Sequence, residues 1–239
     1  MSHKRTNKST KAEIYLDRIF ASGTFKNVWT GRYTEGRRKG QRCVSKEFKT
    51  GSVFEKHFFD EELRIIERTQ EIIDDFHAAN IILGKDIILN TPDVWTYTES
   101  RHKCLIEPMI DNFQKFNSNS GWAASENIWD DAMQALSHFS YHDSNRQFLL
   151  CDLQGGSYSN GYILSDPVIM SQSHDYGPAD LGPNGINSFF RRHHCGRFCK
   201  RQWLKPAIYG SALIPMRQGT TMISLPTRQN RNPLSRVRE

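Results

Sequence analysis

The residues best equipped for chemistry lie in Cys151-Asp152-Leu153-Gln154-Gly155, in Ser165-Asp166-Pro167, and in His193-His194-Cys195-Gly196-Arg197-Phe198-Cys199. Asp152 and Asp166 each follow an apolar run of strand character, Phe148-Leu149-Leu150-Cys151 and Tyr162-Ile163-Leu164. Carboxylates at strand ends beside a cleft are hard oxygen ligands suited to Mg²⁺ carrying phosphates, and Gln154 reaches the same side of an extended chain as Asp152. The competing reading is that both aspartates cap turns, because Gly155-Gly156 and Asp166-Pro167 are turn signals. In the third run, His193 or His194 with Cys195 and Cys199 offers three N and S ligands. A tetrahedral zinc needs one more from elsewhere, for which His138 is a candidate. Two thiolates and two imidazoles leave no open position, so such an ion is structural. Ordinary buried thiols beside surface histidines are the alternative.

A second pair lies earlier in the chain. Lys46 is in Cys43-Val44-Ser45-Lys46-Glu47-Phe48, which alternates as a half-buried strand does, and Glu62 is on the helix that follows. A lysine positioning phosphates and a glutamate holding it make a sensible pair, although an exposed strand lysine and a solvent-facing helix glutamate fit the spacing as well. Gly23-Thr24-Phe25-Lys26 lets backbone approach a phosphate, yet it is neither a Walker loop nor the glycine loop of conventional kinases. The His-Arg-Asp and Asp-Phe-Gly motifs of those kinases are missing from the sequence.

Residues 1–10 form a basic, flexible segment. An N-lobe over 11–108 opens with strands at 14–16, 28–33 and 43–48, the last two joined by a hairpin containing Gly36 and Gly40. It continues with one long helix or two over 54–79, short strands at 81–83 and 87–89, and within 104–109 a strand ending at Pro108. A C-lobe over 109–215 holds a polar loop at 111–121, a helix at 128–139, the strands before Asp152 and Asp166, a loop at 177–185, and a short helix at 186–192. Residues 216–239, rich in Thr, Gln, Asn, Pro and Arg, read as a flexible basic tail.

Composition narrows the class. The 239 residues suffice for one large domain or two lobes around a cleft. Five cysteines without dense spacing point to a reducing compartment rather than a disulfide framework. No apolar run approaches the roughly 18–20 residues of a membrane span, and the polar start has no signal-peptide core, so a soluble, intracellular, cytoplasmic protein is expected. The net charge of +6 gathers at the two ends; without a basic helix face or an aromatic RNA-reading strand it does not indicate nucleic-acid binding. No feature sets an oligomeric state.

Eight blocks, read in order, resemble the alpha-kinase family, which includes elongation-factor-2 kinase, the myosin heavy chain kinases and the kinase domains of channel-kinases. They are Val44-Ser45-Lys46-Glu47-Phe48, Ile106-Glu107-Pro108-Met109, Phe116-Asn117-Ser118-Asn119, the run from Gln134 to Tyr141, Asp152-Leu153-Gln154-Gly155, Leu164-Ser165-Asp166-Pro167, the run from Gly177 to Gly185, and the run from His193 to Cys199. The resemblance spans about residues 20–204. It implies an α+β, two-lobed protein-kinase-like fold with a structural zinc site in the C-lobe, and an atypical serine/threonine protein kinase using ATP and Mg²⁺ on a protein substrate. On the same ground Lys46 would contact the phosphates with Glu62, or its rival Glu61, orienting it, and Glu107 and Met109 would lie at the adenine hinge. Asp152 would be the catalytic aspartate, Gln154 and Asp166 the Mg²⁺-site residues, and Gly182 and Gly185 the glycine-rich loop near the substrate. His138, His193, Cys195 and Cys199 would be the zinc ligands. An inactive nucleotide-binding or scaffold relative is the alternative.

Overall fold

The computed structural model describes residues 3–49, 55–207 and 213–215, so the expected tail over 216–239 lies outside the described residues. The strands β1 (Lys4–Arg5), β2 (Lys11–Ile14), β3 (Ala21–Ser22), β4 (Lys26–Glu35) and β5 (Arg42–Phe48) precede α1 (Glu55–Ala78). Then β6 (Asp86–Asn90), β7 (Asp93–Thr96), β8 (Lys103–Pro108) and β9 (Gln114–Lys115) lead to α2 (Ile128–Asp143). Finally β10 (Phe148–Cys151), β11 (Gln154–Tyr158), β12 (Gly161–Leu164) and β13 (Val168–Ser171) lead to α3 (Gly182–Arg192).

A first sheet runs β2-β4-β5-β8-β7, antiparallel throughout, with β3 on β4. A second runs β1-β6-β12-β11-β9, in which β1 and β12 pair parallel with β6, and β10 pairs antiparallel with β13 apart from both. The sheets do not follow a sequential division at residue 108, because β1 and β6 belong to the second. The reason is visible in α1. Its apolar residues Ile65, Ile66, Ile72, Ile73 and Phe76 recur at helical spacing, and they join the core formed by Met133 and Leu136 of α2 and Leu164 of β12. The chain leaving α1 therefore emerges beside the second sheet.

Two further expectations change. Residues 81–83 are not a strand: Asn80 and Gly84 take left-handed conformations, the chain turns between them, and Leu83 is exposed. Residues 3–10 are folded rather than flexible, with β1 on the edge of β6 and Asn7 fully buried. Their anchorage is polar, which a composition-based reading does not detect.

Local chemistry sets the helix ends. Asn127 caps α2 by accepting from the backbone N–H of Trp129 and Asp130, while Asp130 accepts from the Asn127 N–H, a reciprocal box with two acidic residues in the first turn. Pro183 stands in the first turn of α3, which begins at Gly182, earlier than the expected residue 186.

Candidate active site and metal cluster

The segment 151–168 explains how two aspartates come together. β10 pairs with β13 so that Cys151 lies opposite Val168, and the β11–β12 hairpin is nested inside. Asp152 and Asp166 stand where the chain crosses from one ladder to the other. Both are left-handed, with φ of 57° and 50°, which re-aims the backbone between the pairs and which aspartate tolerates better than most residues.

Asp152 is 2% exposed, and its Oδ1 is 2.7 Å from Lys115 Nζ of β9, itself buried. The turn beneath it is held by Asn117. The Leu153 N–H donates to Asn117 Oδ1 at 3.0 Å, and Asn117 Nδ2 donates to Gln134 Oε1 and Ser137 Oγ of α2. Asn117→Leu is expected to cost about 2–4 kcal/mol, from lost hydrogen bonds and orphaned partners. A shift of the urea midpoint at unchanged slope would measure it.

Asp166 lies between two lysines. Its Oδ2 is 2.6 Å from Lys46 Nζ and its Oδ1 is 3.1 Å from Lys26 Nζ. Burial would raise the Asp166 carboxyl, but Lys46 and then Lys26 outweigh it and hold the group well below the carboxylate range. Lys46 also meets Glu107 Oε1 at 2.7 Å and donates to Ser165 Oγ at 3.1 Å. Burial pushes the Glu107 carboxyl up, a shift that Lys46 partly offsets.

Here the expected pairing is corrected. Glu62 does not hold Lys46; its Oε1 is 2.6 Å from Lys26 Nζ. Register gives the reason: Lys46 faces Leu105 across β5 and β8 while Val44 faces Glu107, so Glu107 is the diagonal, same-face neighbour of Lys46. Glu62, arriving from α1, reaches the start of β4 instead. Glu61, the rival, points to the loop at Gly177. Burial would depress the Lys26 ammonium, yet Glu62 and Asp166 hold it above its ordinary value.

These groups face one cavity of about 500 Å³, lined by Lys26, Lys46, Lys115, Glu62, Glu107, Asp152, Gln154 and Asp166, with Val44, Met109 and Ile110 among its apolar walls. Lys26 and Lys115 carry no assigned role in the sequence reading. Lys26 lies behind a turn considered for its backbone, and Lys115 is on a two-residue strand too short for periodicity. Gly182 and Gly185 are not among the lining residues. Gly182 is left-handed against the His174 ring and Gly185 packs on Met170, where a Cβ would lie 2.0 Å from the sulfur. The loop that does line the cavity brings Tyr176, Pro178 and Ala179. It is organised by buried Asp180, which accepts from the N–H groups of Ser171, Tyr176 and Gly182 and from Ser171 Oγ.

The second site lies at the end of α3. His138 Nδ1, His193 Nε2, Cys195 Sγ and Cys199 Sγ lie within 4.8 Å of one another. His138 to His193 is 3.1 Å, Cys195 to each imidazole 3.7 Å, and Cys199 to His193 3.5 Å. A tetrahedral zinc with ordinary Zn–N and Zn–S bonds demands ligand separations of about 3.3–3.8 Å, so the donor set fits. His138 Nε2–H donates to the Leu204 carbonyl at 3.0 Å, which leaves Nδ1 as the lone-pair nitrogen facing the cluster. Burial lowers His138 to about 4 and His193 to about 3, so both are neutral at pH 7. His194 is outside the group.

Comparison with known proteins matches this architecture. Residues 21–199 fit the sequence profile of the alpha-kinase family, and the chain belongs to that family. It is 38% identical over 98 residues to alpha-protein kinase vwkA of Dictyostelium discoideum, covering 40% of this chain and 16% of that protein. Human eukaryotic elongation factor 2 kinase is 38% identical over 93 residues, or 38% of this chain and 12% of that protein. The matches thus span a small part of these relatives. Among solved structures, the alpha-kinase domain of myosin heavy chain kinase A in complex with AMP superposes with a TM-score of 0.66 at 21% identity, covering 79% of this chain and 88% of that one. An alpha kinase from Entamoeba histolytica gives 0.67 at 21% identity, covering 89% and 85%. The fold is that of an alpha-kinase domain.

Proposed function

We propose that this chain is an ATP-dependent protein kinase that transfers the γ-phosphoryl group to threonine or serine of a protein substrate. The observation that carries the reading is the convergence of Lys26, Lys46 and Lys115 with Glu62, Glu107, Asp152 and Asp166 in one cavity of an alpha-kinase fold. Lys26 and Lys46 would exchange the Asp166 carboxylate for phosphate oxygens, while Glu107 keeps Lys46 in place from the opposite side. Met109 and Ile110 would supply apolar wall for the base. Asp152, steadied by Lys115, orients the substrate hydroxyl and accepts its proton as that oxygen bonds to the γ-phosphorus, the bond to the β–γ bridging oxygen breaks, and ADP leaves. The hard oxygens of Gln154 and Asp166 fit Mg²⁺, which when bound would neutralise charge on the phosphates. His138, His193, Cys195 and Cys199 would hold a structural zinc.

Among the described residues no helix is long and apolar enough to cross a membrane, and the five cysteines are thiols, the form a reducing compartment keeps. A cytoplasmic setting is part of the proposal.

The test is Mg²⁺-dependent transfer of labelled γ-phosphate to a panel of threonine-containing basic peptides. No transfer by folded protein that binds nucleotide would favour the inactive scaffold instead. In the same assay Glu62→Gln is expected to lower kcat/KM for ATP about 10- to 100-fold by loosening Lys26, from a charged hydrogen bond worth about 1.5–3 kcal/mol. Full activity in that variant would remove Glu62 and Lys26 from the phosphate site.

A further inference from the structure

Residues 3–9 lie outside the part of the chain that matches the family, yet they meet the backbone at the edge of the cavity. β1 pairs with β6 of the second sheet: the Leu89 N–H donates to the His3 carbonyl and the Thr91 N–H to the Arg5 carbonyl. Two residues on, the chain is tied to the first sheet. Asn7 Nδ2 donates to the Ile106 carbonyl of β8 at 2.7 Å and to Asp93 Oδ2 of β7 at 2.8 Å, and Tyr33 Oη donates to Asn7 Oδ1. Arg38 Nε donates to the Thr6 carbonyl at 2.8 Å. The segment therefore straps one sheet to the other.

Arg5 is the part of the strap that bonds a cavity-lining residue, Met109. β8 ends at Pro108, and the Arg5 guanidinium collects the carbonyls at that end: Pro108 at 3.4 Å and Met109 at 3.2 and 3.3 Å. Asn90, fully buried, accepts from Arg5 and donates to the same Pro108 carbonyl at 2.9 Å. Gly156 of β11 also lies so close to this crossing that a Cβ would come within 2.4 Å of Ile110 and the Asp111 carbonyl. The backbone carrying Met109 and Ile110 is thus held by Arg5 and closely packed by Gly156, and both residues line the cavity.

We propose that residues 4–8 form a strap across the two sheets and that Arg5 is a positioning residue for nucleotide: it fixes residues 108–110 without touching the ligand. The proposal rests on the reading of this cavity as the ATP site. A planar fork with several N–H donors serves two carbonyls and an amide at once; a lysine ammonium on a flexible stem does not hold that plane.

The test compares the full chain with Arg5→Ala, Arg5→Lys and, as a control on the same strand, exposed Lys4→Ala. ADP affinity, KM for ATP, kcat and melting temperature are measured, with kinetics taken well below the melting transition. In Arg5→Ala the Kd for ADP and the KM for ATP are expected to rise about tenfold, equivalent to about 1.4 kcal/mol, with kcat at saturating ATP within about twofold. Arg5→Lys should behave nearly as Arg5→Ala, and Lys4→Ala as the native chain. Lower melting temperatures with unchanged ADP affinity in both Arg5 variants would reduce Arg5 to a stability role and overturn the proposal. Failure of the native protein to bind ADP would overturn the nucleotide-site reading and the strap's role with it.

Discussion

Asp152→Asn is expected to lower phosphoryl transfer by about 10²- to 10⁴-fold, the range spanned by loss of a positioned general base. The melting temperature should fall by less than in Asp152→Ala, because Lys115 keeps a hydrogen-bond acceptor although it loses its counter-charge. Asparagine is the appropriate replacement for two structural reasons. It adopts the left-handed backbone that Asp152 requires, and its amide oxygen still accepts from Lys115. Alanine confounds the measurement, since it leaves the Lys115 ammonium buried and unpaired at a cost of about 3–5 kcal/mol. Asp152→Ala should therefore lose stability as well as activity. Single-turnover transfer to a threonine peptide, with ADP affinity measured in parallel, separates chemistry from binding. Native-like transfer by the asparagine variant would remove Asp152 from the catalytic role.

Removal of the zinc proposed for the His/Cys cluster is expected to have the largest effect on stability. The cluster joins His138 on buried α2 to His193 at the end of α3 and to the turn carrying Cys195 and Cys199, so an ion there would tie three segments to one another. Around it, Trp203 packs against His138 with ring centroids 5.3 Å apart, and the Phe189 ring stacks on His193 at 4.9 Å. Elemental analysis should find about one zinc per chain, the stoichiometry of a four-ligand site. Because metal-binding energy is folding energy, a strong chelator should lower the melting temperature by about 10 °C or more. Cys199→Ser should reproduce most of that loss by removing a thiolate ligand. Metal-free protein whose melting is indifferent to chelator and to Cys199→Ser would return the cluster to neutral imidazoles beside ordinary thiols.

Strong local signals along the chain mark its regular elements and its chemistry-bearing residue types. The 3.6-residue recurrence of Ile65, Ile66, Ile72, Ile73 and Phe76 marks α1, and the apolar runs ahead of Asp152 and Asp166 mark β10 and β12. The order of eight short blocks carries the family, and the spacing of His193, Cys195 and Cys199 marks the cluster that the structure closes with His138. Which side chains pair depends on how distant elements meet in the fold. Glu107 rather than Glu62 meets Lys46 because the β5–β8 register puts them on one face, and no local pattern encodes register between strands so far apart. Lys115 reaches Asp152 from a two-residue strand, and Gly182 and Gly185 serve helix packing instead of the cavity, for the same reason: their partners come from other elements. The amino-terminal strap is the extreme case. Its polar residues read as a flexible segment until the carbonyls of residues 106, 108 and 109 stand opposite Asn7 and Arg5, because backbone acceptors belong to every residue and leave no mark in the sequence.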